Sequence, residues 1–327
     1  MFTLTQEQIM QNWTVKDTEN PLVSVRCITY NHEPYIAQAI DGFLMQKTDF
    51  PFEVIIHDDA STDKTADIIR EYEKKYPLII KPIYQTENQY SKRNGSIAKA
   101  IDPKLKGKYI AFCEGDDYWI DPNKLQMQVA FLEKNPEYGM CYTKTKCYIQ
   151  DRSKYIRPFG KKVKSFEDLL FNGNSIPTLT VILKTDLYLK YKDEIHPQKQ
   201  NWQMGDYPMW LWFAKNSRIY FFNKLTAVYR VLSESASHCQ DLNKVLLFEK
   251  SVVSIKNFYY RKYIKDNDFF FIDQDLTIAN YFLSGSHLSQ EGVKEALSKM
   301  KNRGIKWKLK YYISKSNFLL KLYRTRR

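Results

Sequence analysis

Residues 107–119 read GKYIAFCEGDDYW. An apolar run, Tyr109 to Phe112, leads straight into Glu114, Asp116 and Asp117, with Gly115 between the first acid and the pair. A run of this kind is a buried strand. Like charges this close raise one another's pKa and cost free energy unless a cation lies beside them. A strand that ends in such a cluster is the mark of a site placed at the carboxyl edge of a sheet, where open α/β sheets bind their ligands.

Working outward, the same strand-then-polar-turn pattern recurs. LVSVRCITY, Leu22 to Tyr30, is rich in β-branched residues and ends at Asn31-His32-Glu33-Pro34, a turn and helix start. FEVIIH, Phe52 to His57, runs into Asp58-Asp59-Ala60-Ser61-Thr62-Asp63, whose last three residues are good caps for a following helix. Leu78 to Tyr84 reads as a third strand, and Pro82 places it at an edge. Helical spacing joins these runs, which predicts a mixed, mostly parallel sheet with helices on its faces. Further on, the pattern predicts strands over Tyr138 to Thr143, Thr178 to Leu183, Ile219 to Phe222 and Leu225 to Val231. It predicts helices starting at Asp121-Pro122, over Ser165 to Phe171, and at Asp206. Beyond about residue 240 only helical spacing remains. The expected division is an N-terminal extension over 1–20, an α/β catalytic domain over 21–239 and a helical appendage over 240–327.

Composition narrows the function. The chain has 327 residues and a net charge of +13. Eleven of its Lys and Arg residues fall in 299–327, where there is no Asp or Glu, so the rest is close to neutral. This argues against nucleic acid as a partner, since no nucleic-acid module accompanies the charge. The tail interleaves cations with Trp307, Leu309, Tyr312 and Phe318, which suits either an anionic membrane surface or packing on the catalytic domain. Five scattered cysteines make no C-x-x-C pair, as expected of a reducing compartment. The N-terminus shows no signal pattern, and no apolar run reaches the roughly 18–20 residues that span a bilayer. A cytoplasmic protein is expected.

Glu114, Asp116 and Asp117 offer hard oxygen ligands of the kind Mg²⁺ and Mn²⁺ take together with substrate phosphates. Lys92 and Arg93, in SKRNG before the fourth strand, are placed to pair with a diphosphate or to face solvent. The blocks CITYN, VIIHDDASTDKTADII and GKYIAFCEGDDYWIDPNKLQMQ, in this order, resemble the nucleotide-binding half of family 2 glycosyltransferases of GT-A fold, over about residues 21–235.

The resemblance implies a nucleotide-diphosphate sugar donor, most naturally a UDP-sugar, and a hydroxyl of a glycan or lipid-linked acceptor. It implies that Asp58 or Asp59 takes the base, that Tyr30 and Glu33 line the base and ribose, and that Asp116 meets ribose or metal. Asp117 would hold the Mg²⁺ or Mn²⁺ that bridges the diphosphate. Glu114 stands where the family usually has Asp. MGDYPMW, Met204 to Trp210, resembles the block that carries the general base, which points to Asp206. His238, after the last strand, is implied as a further metal ligand. Two rival readings are a sugar-nucleotide pyrophosphorylase and a non-catalytic nucleotide-sugar-binding protein. The first calls for a Gly- and Arg-rich phosphate loop where this chain has Tyr-Asn-His-Glu.

Overall fold

The computed structural model describes residues 3–15, 17–232 and 242–264, with Ile313, Ser316 and Leu319. Contacts divide the chain into two compact units, Met1–Asn201 with Gly205–Leu232, and Trp202–Met204 with Ser233–Arg327.

In the first unit a short helix, α1 (Gln6–Met10), precedes the alternating part. That part runs β1 (Val23–Thr29), α2 (Ile36–Leu44), β2 (Phe52–Asp58), α3 (Thr65–Lys75), β3 (Ile80–Tyr84), α4 (Ser96–Ile101), β4 (Tyr109–Phe112) and a short β5 (Tyr118–Trp119). There follow α5 (Lys124–Lys134), β6 (Tyr138–Ile149), β7 (Lys154–Phe159), α6 (Phe166–Asn172), β8 (Ile182–Lys184), α7 (Thr185–Ile195), α8 (Asp206–Asn216) and β9 (Arg218–Val231). The strand order is β3-β2-β1-β4-β8-β6-β9-β5, with β7 paired to β6 beside β8. The β3-β2-β1-β4 block is parallel, so β1, β2 and β4 deliver their carboxyl ends to the same edge. β3 lies at the edge, where Pro82 costs no ladder bond on its open side.

Alternation along the parallel strands sets the core. Val23, Val25, Cys27, Val54, Ile56 and Ala111 are buried in one apolar cluster with Ile36, Ile40, Phe43, Ile69, Leu125 and Val129 from α2, α3 and α5. Ile9 and Trp13 join the same cluster, so residues before the first strand contribute to the core. On the opposite side Phe112 meets Trp210 edge-on, with ring centres 6.0 Å apart. Trp210 and Trp212 are fully buried, which makes them core and not platforms for a sugar.

Several expectations change. The strand expected over Thr178 to Leu183 pairs only from Ile182, because Thr178–Thr180 is a 3-10 turn held by Thr180 Oγ1 donating to Pro177 O and Thr143 O. The two strands expected either side of Asn223 are one, and the break between them is a slip in the β6–β9 register between Tyr142 and Lys144. α3 starts at Thr65 after Lys64, which makes no side-chain cap; Ser61 and Thr62 bond the loop after β1, while Asp63 accepts from Thr65 N at the helix start through Oδ1 and from Glu33 N through Oδ2. α5 starts at Lys124, with Asp121 Oδ1 accepting from Asn123 N.

The second unit contains α9 (Leu242–Tyr263). Gln203 N donates to Ser251 Oγ at 2.7 Å, and Trp202 packs edge-on against Phe258. Among the described residues no helix is long and apolar enough to cross a membrane. The basic tail over 299–327 and His238 lie outside the described residues, save Ile313, Ser316 and Leu319.

One feature of the core is costly. Lys124 is fully buried, and its Nζ has no hydrogen-bond partner among the described residues. It lies 4.3 Å from the centre of the Trp119 ring, a contact that offsets part of the desolvation. Burial pushes its pKa down from 10.5 to about 7. Between those values the unfolded chain holds a proton that the folded one has lost, so stability rises with pH through that window. Lys124→Met is therefore expected to stabilise the protein by about 2 kcal/mol at pH 6, with the gain shrinking towards pH 10. Urea denaturation of both proteins at the two pH values measures this, and an equal gain at both would mean that the fold does not lower the pKa of Lys124.

Candidate functional site

The acidic turn after β4 is held from below and from the side. Cys113 N and Gly115 N donate to Arg26 O and Ile28 O, which carries the pairing with β1 past the end of the strand. Gly115 is a glycine because a Cβ there would lie 2.6 Å from Thr29 Oγ1. From the side, β5 pairs with β9, Tyr118 opposite Val228. This brings Arg230 to the turn, and its backbone N–H donates to Asp117 Oδ1 at 2.8 Å. The Arg230 guanidinium is buried, donates to Asp116 O and to Gln38 Oε1, and lies between the rings of Tyr35 and Tyr118, 5.0 and 4.5 Å from their centres.

The carboxylates respond to this crowding. Burial and then the charge of Asp116 push Glu114 up to about 7. Asp117 is buried and is raised well above the usual carboxylate range, first by burial and then by Asp116 and Glu114. The Asp116 carboxylate accepts no hydrogen bond among the described residues, and Asp117 has one oxygen taken by Arg230. No group of three or more His, Cys, Asp or Glu with metal-binding geometry occurs among the described residues. The oxygens that Asp116 and Asp117 leave unbonded among the described residues are of the hard type that Mg²⁺ and Mn²⁺ take.

The loops after β1 and β2 are stitched to each other. Asn31, with φ 53°, donates its backbone N–H to Ser61 Oγ, and its Oδ1 accepts from Thr62 N at 2.8 Å. Glu33 N donates to Asp63 Oδ2 while Glu33 Oε2 accepts from Lys64 N. Glu33 therefore caps the start of α3. Tyr30 stands at the end of β1, 42% exposed. Asp59 has both oxygens occupied, by Gln89 N at 2.7 Å and Tyr90 N at 2.9 Å. Asp58 is buried and accepts from Ser61 Oγ through Oδ1, leaving Oδ2 without a partner among the described residues. Lys92 pairs with Glu87 at 2.8 Å. Arg93 follows it with φ 49°. His32 lies near Asp116, and burial lowers its pKa against the pull of that charge.

Asp206 is the first residue of α8, with Gly205 at the cap position. Its Oδ1 accepts from Tyr207 N and its Oδ2 from Thr178 Oγ1 at 2.8 Å. β8 runs antiparallel to β4 and Phe112 N donates to Val181 O, so Thr178 and the Asp206 it bonds lie beyond the carboxyl end of β4.

Residues 24–207, more than half of the chain, match the family described as Glycosyl transferase family 2. The chain belongs to that family. A putative teichuronic acid biosynthesis glycosyltransferase, TuaG, of Bacillus subtilis is 30% identical over 232 residues, 70% of this chain and 84% of its own. An uncharacterised protein of Mycobacterium tuberculosis is 40% identical over 164 residues, and the match spans half of this chain and 46% of that relative's length. Among solved structures, S. aureus TarS 1-349 in complex with UDP-GlcNAc superposes with a TM-score of 0.58 at 19% identity, over 93% of this chain and 89% of that one. This establishes the GT-A fold.

Sequence reasoning missed Arg230, Gln38, Tyr118 and Thr178. Arg230 left a signal, a lone cation inside the apolar strand LTAVYRV, where burial demands partners. Its forked guanidinium meets two acceptors at once, which a lysine cannot do. Arg230→Met and Arg230→Lys are both expected to lose about 2–4 kcal/mol in urea denaturation while keeping the backbone bond to Asp117. A lysine variant as stable as the wild type would show that the fork does not hold the turn.

Proposed function

We propose that the protein transfers a sugar, with inversion, from a UDP-sugar to a hydroxyl of a glycan or lipid-linked acceptor. One observation supports this: the acidic turn, the Asp58 loop and, through Thr178, Asp206 lie at the carboxyl ends of β4 and β2 in one sheet. Asp58 offers its unpartnered Oδ2 to the imide N–H of uracil, whereas Asp59 spends both oxygens on its own loop. Tyr30, exposed beside it, borders the base. Asp116 and Asp117 would hold Mn²⁺ or Mg²⁺ against the diphosphate. When bound, the ion supplies charge to stabilise the leaving diphosphate.

Asp206 is the general base. A carboxylate within hydrogen-bond reach takes the acceptor proton as the hydroxyl oxygen attacks the anomeric carbon. Thr178 Oγ1 and the Tyr207 N–H fix its orientation. The relatives support the class of reaction. TuaG is named for teichuronic acid biosynthesis, and the mannosyltransferase PcManGT of Pyrobaculum calidifontis, solved with GDP-Man and Mn²⁺, shares the fold at a TM-score of 0.51.

Calorimetric titration of UDP, with Mn²⁺ and with chelator, tests the donor. Tight binding is expected only with Mn²⁺ and is expected to vanish in Asp117→Ala. Asp206→Asn is expected to bind UDP normally and to lose turnover by about 10²–10⁴-fold. A protein that binds no UDP with or without Mn²⁺ would sink the reading.

A further inference from the structure

Between Lys144 and Lys164 the chain has eight Lys or Arg and a single carboxylate, Asp151. All but Lys144 are exposed, and among the described residues none of the eight is in a salt bridge. Surface cations normally sit among acids, whereas here only Asp151 and, beside Lys164, Asp168 stand against eight cations, which leaves a net positive strip for something else to balance.

Its position says what. Within β6, Tyr148 lies opposite Arg230, whose N–H bonds Asp117. Tyr155 of β7 packs against Tyr148, with ring centres 4.9 Å apart, and lies near Tyr118 of β5, next to the acidic turn. The chain then leaves β7 through Gly160, which packs against Pro177, and Lys161 N donates to Ser175 O. Next along is Thr178, which holds Asp206. The basic strip therefore runs alongside the site from the acidic turn to the proposed base.

β7 is not built to pair with another strand. Pro158 and the cations Lys154 and Arg157 block edge-to-edge addition, and a second copy would bring like charges together. Its outer face carries Tyr155 and Phe159, exposed by 53% and 37%, between the cations. Exposed rings between cations suit a chain of sugars that carries anionic groups.

We propose that the β6–β7 hairpin and the loop after it dock a polyanionic glycan, one bearing carboxylate or phosphodiester groups along its length, as the acceptor. This deepens the glycosyltransferase reading and rests on it. The strip holds the polymer by charge and leads one of its hydroxyls to Asp206.

The test uses the full chain in three forms: wild type, Lys154→Ser/Arg157→Ser/Lys161→Ser, and a control, Lys104→Ser/Lys134→Ser, at the opposite end of the sheet. Each is titrated with UDP and Mn²⁺, with oligogalacturonate, with a neutral maltooligosaccharide of equal length, and with phosphatidylglycerol vesicles. Oligogalacturonate is expected to bind the wild type and the control. It should bind the triple variant about tenfold more weakly and weaken further as salt rises from roughly 50 to 200 mM. The neutral sugar is expected not to bind, and UDP binding and thermal midpoints are expected to be equal in all three forms. The proposal is overturned if oligogalacturonate ignores the triple substitution, if the control weakens as much, or if only vesicles bind in a hairpin-dependent way. Absence of UDP binding in every form would count against the donor reading alone, because the polyanion titrations still decide the hairpin.

Discussion

The bond from Arg230 N to Asp117 Oδ1 is where the two halves of the sheet close on each other. β4 ends the parallel half, and β9 belongs to the half built on β6. A carboxylate buried next to two others has a strong tendency to stay protonated, and each N–H aimed at it works the other way. Arg230 supplies that N–H from its backbone and fixes the turn with its side chain, so one residue both orients Asp117 and shapes the backbone on which Asp116 stands. The fork reaches Gln38 on α2 as well, which ties the turn to a helix of the core.

The remaining loops show a division of labour among acids that look alike in the sequence. Glu33, Asp59 and Asp63 spend their oxygens on backbone N–H groups and make the loops rigid. Asp58, Asp116 and Asp206 keep capacity for a ligand or stand where one would lie. Each acid used structurally satisfies donors that loops would otherwise leave exposed to water, and the site gains a rim whose shape is set before anything binds.

The parallel half was legible because its strands are apolar runs ended by clear turn residues, and register follows once both faces of a strand are buried. The mixed half, where β6 pairs parallel with β9 and antiparallel with β7 and β8, was harder. β5 has two residues and owes its existence to β9, so Tyr118-Trp119 has no local signature. β7 is exposed throughout and reads as a basic loop, because its only strand partner is β6. Among the site residues, the acidic turn could be found by its cost in like charge. Thr178 could not, because a threonine that orients Asp206 differs in no local way from one that caps a turn. Asp58 and Asp59 were inseparable by sequence, since what distinguishes them is the path of the loop at Gln89 and Tyr90.

Net charge misled in a similar way. With the tail set aside the chain is close to neutral, which suggests a surface of mixed sign. A sum carries no information on placement. The β6–β7 hairpin has many cations and one acid, Asp151, and the turn after β4 has acids crowded enough to shift one another. The two lie side by side through Tyr155 and Tyr118. The near-neutral sum hides two patches of opposite sign, and adjacent patches of this kind steer different ligands to different places. On the proposed reading, a cation with its diphosphate would lie on the acidic floor and a chain of anions on the basic rim. Such a pair of fields would keep a polyanionic acceptor off the carboxylates while holding its end within reach of Asp206.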